Sequence, residues 1–203
     1  MTSVAELREL FEREAALDRP AADRPDVGII MGSDSDLDVM AGASKTLEAL
    51  GFEELTEYDD PPAAEYTYES WVVSAHRTPD LMYAYGETAE ARGLDVILAG
   101  AGGKSADLPN MTASIAYPVP VIGIPVREKS VDSVIGMPTG APITAVDAGK
   151  SSNAALSAVQ ILARTDDTLR DRLVERHEDQ AREVAAVSRS LHERGTQAFR
   201  DSN

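Results

Sequence analysis

The chain has no cysteine. A disulfide framework, a thiolate nucleophile, a zinc–thiolate site and an iron–sulfur cluster are therefore all excluded, and an intracellular, cytoplasmic protein is expected. Long apolar runs are missing as well. No segment approaches the roughly 20 apolar residues of a spanning helix, and the first 25 residues are charged throughout, unlike a signal peptide, so no membrane partner is expected. Positive charge is scarce: 19 Lys plus Arg stand against 35 Asp plus Glu, a formal net charge of −16. Such a surface repels phosphate backbones and anionic lipid, which argues against a nucleic-acid partner and leaves a small molecule as the expected ligand. Lysine occurs only at 45, 104, 129 and 150. An acidic, lysine-poor surface suits a protein kept soluble in concentrated salt, where screening suppresses self-repulsion; a merely acidic protein of ordinary salt is the alternative.

What is present is enough for a folded domain, since 203 residues with 43% hydrophobic content can bury a substantial core. Residues 3–18 repeat apolar side chains at helical spacing through Val4, Leu7, Phe11 and Leu17, then meet a proline-flanked linker. Short apolar runs at 27–31, 71–74, 96–99, 119–124 and 143–146 read as strands buried on both faces. Helical patterns near 37–50, 79–92, 105–116 and 150–163 separate them. This alternation predicts an α/β fold, a three-layer, flavodoxin-like doubly wound parallel sheet. Residues 53–68, acidic with a double proline, read as a surface excursion, and the chain from Thr165 onward as a long charged helix with an apolar stripe. The expected divisions are an N-terminal helical extension (1–26), a catalytic α/β domain (27–164) and an oligomer-forming C-terminal helix (165–203).

Ligands of parallel sheets collect beyond the carboxyl ends of the strands, so the loops there carry the chemistry. The first contains Gly32, Ser33, Asp34, Ser35 and Asp36, able to hold a phosphate on hydroxyls and amides and a ribose on Asp36, or simply to cap the next helix. The second, from Ser74 to Pro79, holds His76, the one histidine outside the C-terminal helix, and Arg77, a forked cation suited to phosphate. A histidine here is either a proton-transfer group or a structural one. The third, with Gly100, Gly102 and Gly103 before Lys104, lets backbone approach a flat or anionic ligand. It fits neither a dinucleotide fingerprint, which needs glycine at Ser105, nor a Walker loop, which needs glycine at Ala99. A fourth segment, residues 136–142, reads as a connector or a lid.

Met31 to Asp36 (MGSDSD), Ser74 to Pro79 (SAHRTP), Ala99 to Met111, and Met137 to Leu156 with its MPTGAP and NAAL stretches together resemble the PurE family of purine biosynthesis over residues 27–163. The resemblance implies an N5-carboxyaminoimidazole ribonucleotide mutase of a homo-octameric kind, with no metal and no cofactor. A carboxylase using free carbon dioxide is the alternative, and a non-catalytic nucleotide-binding module a more distant one. It further implies His76 as general acid and base, Ser33 and Arg77 as phosphate contacts, Asp36 as a ribose contact, Ser35 and Ser74 as pocket residues, and the Gly102 and Gly103 backbone beside the imidazole ring and carboxylate. The chain departs from the family's bacterial mutases at Asp107, commonly His, at Asn110, commonly Gly, and at Lys104; Asp107 is left outside the catalytic set. Arg77 and Lys104 are the cations expected to attract an anionic substrate.

Overall fold

The computed structural model describes residues 2–202. Six parallel strands form one sheet in the order β2-β3-β1-β4-β5-β6: β1 (Val27–Met31), β2 (Phe52–Glu54), β3 (Tyr66–Val72), β4 (Val96–Ala101), β5 (Val121–Pro125) and β6 (Thr144–Ala145). β1, β4 and β5 are buried at every position, as helices covering both faces of a sheet require.

One face carries α1 (Val4–Ala16), α3 (Pro79–Thr88) and α4 (Leu108–Ile115), whose Phe11, Leu81, Met82, Tyr85 and Leu108 join Ile30, Ile97, Ala99 and Val121 in a single core cluster. α2 (Leu37–Ala49) lies on the opposite face, where Met40 presses so closely on Gly100 that no Cβ would fit. The side chains of Ser151 and Ser152, opening α6 (Ser151–Leu162), donate to the carbonyls of Val39 and Gly42 and so fasten α6 to α2. α5 (Val131–Ile135) follows β5.

The chain forms two compact units, divided after Ile161. The first includes α1, which packs on α3 through the wholly buried Phe11, in edge contact with Trp71 and Tyr85 at 5.0 and 5.3 Å between ring centres. The second contains α7 (Asp167–Arg194), capped by Asp166, and α8 (Thr196–Arg200). Of the apolar stripe expected on α7, Leu169 is buried, while Val184 and Leu191 are exposed.

Only the middle of the segment expected to be a surface excursion, residues 55–65, is a loop; its two ends belong to the sheet. Residues 52–54 form β2, paired with β3 in the register Phe52↔Tyr66 and Glu54↔Tyr68, and β3 begins five residues before the expected start at Trp71. Tyr58, Tyr66, Tyr68 and Glu69 are buried there. The Glu69 charge meets that of Arg92 at 2.6 Å, both side chains 1% exposed. Tyr58 donates to the other Glu69 oxygen and accepts from Arg92 at 2.9 Å. The guanidinium also sits over the rings of Phe11 and Tyr85, at 4.7 and 4.6 Å. Burial, reinforced by the Glu69 charge, pushes the Tyr58 hydroxyl far above its ordinary range, so it remains a donor. Charged and tyrosine-rich letters suggested solvent because their partner, Arg92, lies 23 residues further on.

Candidate active site

The sequence around β1 turns at Gly32, whose amide continues the ladder to the Gly100 carbonyl at 3.0 Å. Ser33 then caps a short 3-10 turn over Asp34–Asp36; its Oγ accepts from the Ser35 amide at 3.4 Å and donates to Asp34 at 2.9 Å. Asp36 stands at the N-cap of α2 but makes no capping bond. The residue is 5% exposed, and its carboxylate lies against Gly102, where an added Cβ would come within 2.7 Å of Oδ1. Glycine at 102 is what lets the β4 loop approach so closely. Burial raises the Asp36 carboxyl above its ordinary value, opposed by the charges of Arg127 and Arg77.

Beyond β3, the Ser74 amide donates to Thr78 Oγ1 at 3.0 Å, and Ser74 Oγ accepts from the Arg77 amide at 3.2 Å, which tightens the turn that displays His76 and Arg77. Arg77 Nη2 donates to the Gly32 carbonyl at 2.8 Å, tying this loop to the one after β1. The His76 side chain is 62% exposed, accessible to a ligand, and its Nε2 lies 2.9 Å from Oδ2 of Asp107. Asp107 occupies the N-cap of α4 and, like Asp36, caps nothing. Its other oxygen accepts from Ser133 Oγ at 3.3 Å, while Asn110 Nδ2 donates to the Ser133 carbonyl at 2.6 Å, so α4 and α5 are stitched together.

These loops enclose a cavity of about 430 Å³. All eight residues singled out from the sequence, Ser33, Ser35, Asp36, Ser74, His76, Arg77, Gly102 and Gly103, line it. So do Asp107 and Arg127, which the sequence reading left out. Arg127 lies two residues past β5, a strand-end position that alone could have signalled it. Lys104 is exposed and does not line the cavity, and neither does any residue of 136–142. Two arginines therefore face two aspartates in the cavity, a local balance near neutral within a molecule of −16. Among the described residues, no group of three or more His, Cys, Asp or Glu side chains could hold a metal ion. The arrangement offers an accessible imidazole for proton transfer, a forked cation with hydroxyls for a phosphate, and glycine backbone for a planar ligand.

The family model described as AIR carboxylase matches residues 26–183. The chain belongs to the AIR carboxylase family. Among similar proteins, the N5-carboxyaminoimidazole ribonucleotide mutase of Mycobacterium tuberculosis is 43% identical over 188 residues, covering 90% of this chain and 99% of that protein. The chloroplastic phosphoribosylaminoimidazole carboxylase of Vigna aconitifolia is 38% identical over 196 residues, 94% of this chain, which spans only 32% of that longer protein. The crystal structure of Treponema denticola PurE superposes with a TM-score of 0.67 at 23% identity, over 83% of this chain and 99% of that one, and shares the fold. The doubly wound, flavodoxin-like architecture of the AIR carboxylase family is thus the architecture of this chain.

Proposed function

We propose that the chain catalyses the N5-carboxyaminoimidazole ribonucleotide mutase reaction of de novo purine biosynthesis, moving a carboxylate from the exocyclic nitrogen to ring carbon 4. The observation that carries the reading is the convergence of His76, Arg77, Ser33 and Asp36 on one strand-end cavity, in a chain similar along nearly its whole length to a protein of that name.

The phosphate rests on Arg77, Ser33 and Ser35, and the ribose hydroxyls on Asp36, with Ser74 bracing the Arg77 turn. Arg127 adds a second positive charge to the cavity, drawing in an anion that the whole molecule would repel. The Gly102 and Gly103 backbone borders the imidazole ring and its carboxylate. The His76 imidazolium gives its proton to the exocyclic nitrogen as the carbamate C–N bond breaks and carbon dioxide leaves. Ring carbon 4 then attacks the carbon dioxide still held beside it, forming the new C–C bond. Neutral His76 takes the proton from carbon 4, which restores the aromatic ring and the imidazolium together. Holding carbon dioxide next to its acceptor replaces a bimolecular capture, a large rate advantage in itself. Residues 27–164 carry this chemistry. Residues 165–203 build a homo-octamer, supported by the exposed Val174, Val184, Val187 and Leu191 of α7. The setting is cytoplasmic, since a phosphorylated ribonucleotide does not cross a bilayer.

Pure protein supplied with N5-carboxyaminoimidazole ribonucleotide is expected to turn it over, and His76→Asn to lower kcat by about 100-fold or more while the nucleotide still binds. Turnover only with bicarbonate and the uncarboxylated nucleotide would establish the carboxylase instead. Full activity in His76→Asn would leave the site without its proton carrier and refute the assignment.

A further inference from the structure

We propose that Asp107 is the positioning residue of His76, holding the imidazole in the tautomer with the proton on Nε2 and leaving Nδ1 to exchange a proton with the substrate. The proposal rests on His76 acting as the acid and base of the mutase reaction, and its test separates the two.

Three observations carry it. Oδ2 of Asp107 lies 2.9 Å from His76 Nε2, and an ionised carboxylate can only accept, so the nitrogen facing it must carry the hydrogen. A neutral imidazole has one N–H and one lone pair, so assigning the first fixes the second. Next, an aspartate at a helix N-cap ordinarily accepts from the amides of the first turn, yet Asp107 does not. Pro109, second in α4, has no amide to offer, and the carboxylate turns across the cavity instead. The Asp107 backbone is helical, with φ −80° and ψ −15°, rather than extended as in a capping residue, and its carboxylate faces the histidine. Finally, the carboxylate is itself held: Ser133 Oγ donates to Oδ1 at 3.3 Å, and Ser133 is anchored through its carbonyl by Asn110 at 2.6 Å. The chain of contacts from Asn110 through Ser133 and Asp107 to His76 joins α4 and α5 to the loop after β3. An imidazole that is 62% exposed would otherwise rotate among several rotamers and both tautomers. Orientation of a proton carrier is worth about 100-fold in rate when the reacting atoms are misplaced by an ångström.

The test uses the full chain labelled with ¹⁵N-histidine, which has only three histidines, His76, His177 and His192, and so an assignable spectrum. With the imidazole neutral, the His76 nitrogen shifts in the unliganded protein are expected to report the Nε2–H tautomer. In Asp107→Ala they are expected to average toward a mixture, kcat to fall about 10- to 100-fold, and KM to stay within about twofold. Asp107→Asn keeps an oxygen that can accept from Nε2 and is expected to recover the tautomer and part of kcat. Ser133→Ala, which leaves the carboxylate in place but unanchored, is expected to show a smaller loss of the same kind. An unchanged His76 tautomer in Asp107→Ala overturns the proposal, as does a loss residing in KM, which would make Asp107 a substrate contact. Because the tautomer is read without substrate, a protein with no mutase turnover refutes the proposed reaction and still leaves the Asp107 result to be decided by its spectrum.

Discussion

Asp36 and Asp107 occupy the same kind of place, the N-cap of a helix at the carboxyl edge of the sheet, and neither caps its helix. Both have helical rather than extended backbone angles, unlike a capping residue, and both carboxylates lie at the cavity instead. For Asp36 the cost of burial has a direction in pH. The folded state raises its carboxyl above the value in the unfolded chain because burial outweighs Arg127 and Arg77. A proton is therefore held more tightly in the fold, and this contribution, present below the unfolded value of about 3.9, is lost as pH rises through the raised folded value. Asp36→Asn is expected to unfold at a higher temperature than the native chain at pH 7, with the difference vanishing below about pH 4. A denaturation series across that range checks it, and a native chain more stable than the variant at pH 7 would reverse the argument. The same substitution should weaken nucleotide binding, so the site and the fold pull this residue in opposite directions.

At the scale of elements, β3 carries more than its sequence suggests. Its Glu69 makes the buried pair with Arg92, and the Arg92 guanidinium in turn lies over the Phe11 ring of α1 and the Tyr85 ring of α3. One ion pair thus connects the N-terminal helix, the sheet and the helix after the SAHRTP turn, and the first compact unit includes all three. Breaking such a pair on one side strands a charge in the interior. Glu69→Gln is expected to destabilise the fold by about 3–5 kcal/mol in a urea titration, whereas an exposed pair such as Arg189 with Glu193 would contribute about 0–1 kcal/mol. A change below 1 kcal/mol for Glu69→Gln would mean that water reaches Arg92.

For the whole molecule, the −16 charge sets two conditions. It opposes the approach of an anionic nucleotide, which the two cavity arginines offset locally, and it would oppose the proposed association of like-charged copies, which apolar contact and salt would have to offset. Sedimentation is expected to find the full chain assembled in concentrated KCl and partly dissociated in dilute KCl, and the chain truncated before Thr165 smaller in both. A truncated chain that sediments as the full assembly would remove the role assigned to residues 165–203.

Much of this protein is legible in its letters because the determining physics is local. Apolar runs alternating with helical periods point to a parallel sheet, and a parallel sheet puts its ligands at the strand ends, so the loops holding Ser33, Asp36, Ser74, His76, Arg77, Gly102 and Gly103 stand out by position, while the resemblance to the PurE family is what implies the role of each residue. No such local rule reveals β2 or the buried Glu69, since an acidic residue is placed inside only by a partner distant in the chain, here Arg92. Arg127, two residues past β5, answers to the same strand-end rule, and the adjacency of β4 and β5 in the sheet brings it to the cavity. Asp107 is the sharpest case. From its letter it is a departure from the family pattern and nothing more; only the tertiary structure shows its carboxylate between His76 Nε2 and Ser133 Oγ. Sequence determined which groups could do the chemistry, through periodicity and side-chain type, while tertiary structure decided their protonation partners and local field, because hydrogen bonds and charges act through space and take no account of separation along the chain.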